Sequence, residues 1–211
     1  MIKFNDSPLV LKKLIFLSRY SSIVTVTKTS LTTKNMQIIF PDEYDIILLN
    51  SEVSEFSIKI NDLLYILGKT DECLVTKNHF IIKYQVSEIN VEKKFKRYGE
   101  IFILPCSDPK LSIKVGKLIV LSEDDILIKC TDQGLFKMSS AVIIETRLVH
   151  KNCSVINSKV DEVSVKVKSK DLRVLETFQN DKIFCMFDNY ILVYVLEDKI
   201  TNIIMLQILQ K

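Results

Sequence analysis

Tryptophan is absent from this 211-residue chain, and glycine and proline occur only four times each. So few glycines exclude loops that cradle phosphates by close backbone approach, because such loops need several residues without a Cβ. Only two histidines occur, His79 and His150, each inside a strand-like run where an ordinary strand role is the plain reading. The patterns G-x-x-x-x-G-K, H-E-x-x-H, C-x-x-C and G-x-S-x-G are missing. The acidic residues Glu123, Asp124 and Asp125 cluster ahead of a strand, but no further converging ligands accompany them, so no metal site is assigned. Catalytic residues, a metal and a cofactor are therefore not expected, and the sequence points away from an enzyme. No apolar run approaches the ~18 residues that suggest a membrane span. The start, MIKFNDSPLVLKK, lacks the apolar core and small-residue cleavage site of a secretion signal.

What is present is a chain 47% hydrophobic and 26% charged, enough for a globular core, with a mild net charge of +3. Charge of that size does not imply nucleic acid by itself; clustering of Lys and Arg on one face would. The cysteines, Cys73, Cys106, Cys130, Cys153 and Cys185, are odd in number and widely spaced. They fit neither a disulfide framework nor zinc spacing, and most read as core thiols in a reducing compartment, cytosol or nucleus.

The chain also repeats itself. KLIFLS at 13–18 returns as KLIVLS at 117–122. Strand-like Ile23–Thr27 is matched by Ile126–Cys130, and 34–40 by 134–140. SIKI at 57–60 is matched by SVKV at 164–167, DLLYIL at 62–67 by DLRVLETF at 171–178, and NHFIIKY at 78–84 by NYILVY at 189–194. Matches in one order with a slowly drifting offset indicate two copies of a unit of roughly 105 residues. The expected division is a first domain 1–90, a linker 91–98 within the charged stretch INVEKKFKRYGE, and a second domain 99–211.

In the first copy, Ser7-Pro8 signals a helix start, and Leu11, Leu14, Ile15 and Ser18 give the spacing of one buried helical face. Strands are expected at 22–28, 34–40, 44–50 and 55–60, then a second helix at about 61–68 ending at Gly68. The second copy is expected to run strand 100–104, helix 108–121, strands, helix 169–178, strands. On the helix after Pro109, Lys110, Lys114 and Lys117 form a basic stripe beside an apolar face of Leu111, Val115, Leu118 and Ser122. The first helix carries Lys12, Lys13 and Arg19, and the helix near 169–178 carries Lys168, Lys170 and Arg173. The plain alternative is that these are solvated faces that happen to be basic.

Two duplicated units, each with two helices and about eight strands, and with basic residues on the helices, resemble the DNA sliding-clamp superfamily. The resemblance implies an α+β fold of duplicated processivity-fold domains, antiparallel sheets with two helices per domain. It also implies a non-catalytic subunit of a ring that encircles double-stranded DNA without reading sequence. Lys12, Arg19, Lys110, Lys114, Lys117, Lys168, Lys170 and Arg173 are then the DNA-facing candidates. Three stretches are most similar to the Hus-type subunit of the nine-one-one checkpoint clamp: IFILP at 101–105, TKNHF at 76–80 and the ending YILVYVLEDKITNIIMLQIL. That similarity implies a heterotrimeric checkpoint ring with two related clamp subunits and a clamp loader, acting in DNA damage response and repair in the nucleus. FSIKINDLLYIL at 56–67 also resembles the Rad-one type subunit. The alternatives are a homotrimeric replicative clamp of the proliferating cell nuclear antigen type, which is acidic where this chain is basic, and a clamp-fold scaffold that does not encircle DNA.

Overall fold

The computed structural model describes residues 2–4, 8–41, 46–49, 54–70, 72–118, 125–140, 147–150 and 153–209. The chain divides into unit 1, Met1–Leu104, and unit 2, Pro105–Lys211.

Unit 1 runs β1 (Ile2–Phe4), α1 (Pro8–Ser18), β2 (Ile23–Thr27), β3 (Ser30–Thr32), β4 (Met36–Ile39), β5 (Ile47–Leu49), β6 (Glu55–Lys59), α2 (Ile60–Leu67), β7 (Glu72–Val75), β8 (His79–Val86) and β9 (Ile89–Lys96). Its strands lie in two antiparallel sets of neighbours, β5-β1-β7-β8-β9 and β6-β2-β3-β4. Unit 2 runs β10 (Leu111–Val115), β11 (Asp125–Thr131), β12 (Phe136–Ser140), β13 (Arg147–His150), β14 (Ser154–Ser158), β15 (Glu162–Lys168), α3 (Ser169–Leu172) with a 3₁₀ extension (Arg173–Thr177), β16 (Lys182–Met186), β17 (Tyr190–Glu197) and β18 (Ile200–Gln207). Its sets are β14-β10-β16-β17-β18 and β15-β11-β12-β13. The two pairing schemes are the same scheme, so the duplication read from sequence is present in the order of the strands.

Local chemistry explains the elements. In β11, Ile126, Ile128 and Cys130 are fully buried while Leu127 between them is 43% exposed, the period of a half-buried strand. In β2, Val24, Thr25 and Val26 are all buried, and the Thr25 hydroxyl meets Ser57 Oγ at 2.6 Å, so the buried polar atom keeps a partner. Each core contains a tilted phenylalanine pair at 4.8 Å, Phe56–Phe80 in unit 1 and Phe136–Phe184 in unit 2. Burying such a side chain contributes about 1.5–3 kcal/mol. Burial also pushes the Cys73 thiol up to about 11 and the Cys130 thiol higher still. Both therefore stay protonated and unreactive, whereas Cys106 is exposed. The hairpins β8–β9 and β17–β18 turn at corresponding places, and Ser87, Asp198 and Lys199 there have φ of 54°, 50° and 66°, the left-handed conformation that suits strand twist.

Several expectations are corrected. The expected helix 108–121 is a strand over Leu111–Val115, and 116–118 is not helical; 119–121 lies outside the described residues. LSIKV fits helical spacing, but Leu111, Ile113 and Val115 also alternate at period two. Pairing on both sides, Ile113 opposite Phe184 and Val155, fixes them as strand. Only residues 116–124 separate β10 from β11, against 5–22 between β1 and β2, so the 11-residue α1 has no counterpart of equal length. KLIFLS lies in α1, and KLIVLS begins at Lys117, just past β10 and in the connection that corresponds to that of α1; its residues 119–122 lie outside the described residues.

The expected linker 91–98 is paired strand through Lys96, with Phe80 opposite Phe95 and His79 opposite Lys96. The expected strand 100–104 has no regular structure over 101–104 and belongs to unit 1. It is held there by Tyr98 N–H donating to the Ser57 carbonyl at 2.9 Å and Phe102 N–H donating to Thr25 Oγ1 at 2.9 Å. The buried face of α1 is Val10, Lys13, Leu14 and Leu17, rotated from the expected Leu11, Leu14, Ile15 and Ser18; Ile15 is 50% exposed.

Candidate nucleic-acid interface

The candidate basic residues separate into three groups. In unit 1, Lys12 projects from α1 and Arg19 follows its last turn, both exposed or partly so. The i, i+7 spacing puts them on one side of the helix. They border a shallow groove of about 450 Å³ shared with Pro8, Leu11, Ile15 and Phe16, so the cations stand on an apolar bed. Among the described residues neither has a carboxylate partner. The second helix, α2, packs beside α1 and is followed by exposed Lys69.

In unit 2, Lys168, Lys170 and Arg173 are exposed at the start of α3 and its 3₁₀ extension, while Ser169, Leu172, Val174 and Leu175 are buried. Lys168 precedes α3 in extended conformation, as Lys59 precedes α2. Asp62 and Leu63 recur as Asp171 and Leu172 with the same burial. This correspondence is two positions away from the SIKI–SVKV match, and an even shift in a strand keeps the same side chains inward.

The third group, Lys110, Lys114 and Lys117, loses its helical stripe because it lies on and around β10. Lys110 is ion-paired with Asp188, and Lys114 Nζ lies 2.8 Å from Asp181. Lys117 is exposed and close enough to act on Lys182. Lys182 is buried, and its ammonium donates to the carbonyls of Phe178 and Asn180, both at 2.8 Å. Burial lowers its pKa, Asp181 acts to raise it, and Lys117 lowers it further. These contacts tie the end of the 3₁₀ turn to β16 and make this region a structural charge network.

Sequence reading missed one cluster. Tyr65 of α2 and Tyr84 of β8 join their hydroxyls at 2.7 Å. Lys93 Nζ lies 3.8 Å from the centre of the Tyr65 ring, and Lys69 Nζ 5.8 Å from that of Tyr84. A spacing of four positions could have flagged Tyr65 and Lys69. Nothing local announces Tyr84 and Lys93, which are assembled by the β8–β9 register.

Chemically, exposed ammonium and guanidinium groups attract polyanions irrespective of sequence. Comparison with solved structures identifies the architecture around them. The chain is similar along 99% of its length to the PCNA2–PCNA3 complex from Sulfolobus tokodaii, covering 99% of that chain at 10% identity and TM-score 0.61. It is similar to the proliferating cellular nuclear antigen from Entamoeba histolytica, covering 99% and 98% of the two chains at 10% identity and TM-score 0.63. It also matches the Helicobacter pylori beta clamp in complex with carprofen at TM-score 0.70 and 14% identity, with 99% of this chain covered but only 63% of that one. No family model matches the chain, and neither does a curated protein. The fold is that of the sliding clamps, α+β with duplicated antiparallel units.

Proposed function

We propose that this chain is a non-catalytic DNA sliding-clamp subunit of a heterotrimeric checkpoint ring that encircles duplex DNA in the nucleus during the DNA damage response. The carrying observation is that the clamp fold presents accessible cations beside helices in both units, Lys12 and Arg19 in one, Lys168, Lys170 and Arg173 in the other. A ring that slides must hold DNA through phosphates, and cations on flexible stems supply that attraction without fixing a register. Lys110 and Lys114 are engaged by Asp188 and Asp181 and so carry less of this reading, while exposed Lys117 stays in the DNA-facing set.

Two units per chain require three chains for a six-unit ring of the kind the resemblance implies. The mixed ring rests on the Hus-type similarity of IFILP, TKNHF and the final hairpin. One of the similar structures is itself a complex of two different clamp chains. Full-length similarity to a proliferating cellular nuclear antigen favours the second reading, a homotrimeric replicative clamp. Sedimentation at micromolar concentration separates the two: a monomer alone that assembles with two related subunits supports the mixed ring, and a stable homotrimer favours the replicative one. In the assembled ring, Lys12→Ala with Arg19→Ala should reduce the slope of log K against log salt by about 0.9 for each phosphate no longer neutralised. An unchanged slope would remove α1 from the DNA-facing surface.

A further inference from the structure

The Tyr65–Tyr84 cluster has a built geometry that the clamp reading does not use. It lies where Tyr65 of α2 meets the β8–β9 hairpin. Phe80, Ile82 and Tyr84 alternate onto one face of β8, and Val91, Lys93 and Phe95 onto the same face of β9, with Ile82 opposite Lys93 and Tyr84 opposite Val91. The inner end of this face is core, Phe80 being buried and the Tyr65 ring lying 5.6 Å from Phe95. The outer end carries the two phenols and two ammonium groups.

Among the paired residues of β8 and β9, the charges on this face are of one sign. Glu92 projects to the opposite face, where it pairs with Lys83 at 3.5 Å and Lys94 at 3.6 Å. The one carboxylate of α2 is Asp62, a turn before Tyr65, and among the described residues it makes no ion pair with Lys69 or Lys93. The phenols also have spare donor capacity. One O–H is consumed in the bond between them, and the other remains to donate outward. A site with two ammonium groups, one free O–H and, among the described residues, no carboxylate paired with those ammonium groups matches an oxyanion with several acceptor oxygens.

We propose that Tyr65, Tyr84, Lys69 and Lys93 form a phosphate-ester binding site on unit 1. Lys69 and Lys93 neutralise the anion, the outward phenol donates to one of its oxygens, and the second phenol holds the first in place. The phosphate comes either from the backbone of a nucleic acid or from a small free phosphate. The site stands on its own geometry, so it survives if the ring reading fails; if the phosphate belongs to DNA, it deepens that reading.

The absence of tryptophan allows tyrosine emission to report on binding directly. Full-length chain is titrated with inorganic phosphate and, separately, with a short duplex DNA at low salt. The wild type is compared with Tyr65→Phe/Tyr84→Phe, which keeps both rings, and with Lys93→Gln. The result expected is a saturable signal for at least one ligand that weakens about tenfold in either variant. Competition of phosphate against duplex assigns the backbone as source, and binding of phosphate without duplex assigns the free ligand. Equal affinities for wild type and both folded variants would overturn the site, as would the lack of any saturable binding. Far-ultraviolet circular dichroism establishes that the variants are folded. Assembly of the chain into a ring is read separately by sedimentation, so failure of this site and failure of the clamp reading are distinguishable.

Discussion

Two phenols sharing a hydrogen bond cannot lose their protons independently. When Tyr65 ionises, the Tyr84 O–H donates to the phenolate, and Lys93 and Lys69 add attraction, so Tyr65 is held below the ordinary tyrosine value. Tyr84 must then ionise beside a negative oxygen and is pushed above it. The pair should therefore titrate in two steps on either side of about 10. In Tyr84→Phe the early step should move up towards the ordinary range, because the hydrogen bond from Tyr84 is the largest cause of the lowering. Phenolate absorbance followed against pH measures this, and an early step that stays in place in Tyr84→Phe would show that the lysines alone set it. Lys182 shows a different solution at the same scale. Its charge is carried inside the fold because backbone carbonyls replace the water that burial removes.

At the scale of elements, the duplicated hairpins differ in the strain their turns carry. The β17–β18 turn places Asp198 and Lys199 in the left-handed region, which aspartate tolerates and lysine does not favour. Lys199→Gly should stabilise unit 2 by about 0.5–1 kcal/mol, net of glycine's greater freedom when unfolded, as read from the urea midpoint. A lower midpoint would mean that interactions of the Lys199 side chain outweigh the backbone gain. The elements also show where sequence reading succeeds. Both α2 and the α3 region were legible because an Asp–Leu pair recurs at the same place after an extended lysine. The helix expected at 108–121 fails over 108–118 because a five-residue apolar alternation fits both periods, and only pairing with β14 and β16 decides between them. Charge misled in the same way at β9, where INVEKKFK looked like linker. Its lysines and Glu92 belong to a largely solvated strand, and only Phe95 is buried.

Across the whole molecule, the internal repeat pointed to the sliding-clamp architecture, since order and spacing of strands are visible in one dimension. The site was less legible: Lys12, Arg19, Lys168, Lys170 and Arg173 are exposed, and nothing local announces that Lys110 and Lys114 meet carboxylates at 188 and 181, distant in sequence. The Thr25–Ser57–Phe102 clasp has one further consequence, for dissection of the chain. A fragment ending at residue 90 would lack most of β9 and the tethered stretch to Leu104. It would bare the backbone hydrogen-bonding edge of β8 and uncover Phe80, which is fully buried in the intact chain. Such an edge recruits other chains, so that fragment should aggregate on purification. A fragment extended to Leu104 keeps the edge strand and its clasp, and should elute from size exclusion as a soluble monomer. If both fragments behave alike, the clasp contributes nothing to the integrity of unit 1.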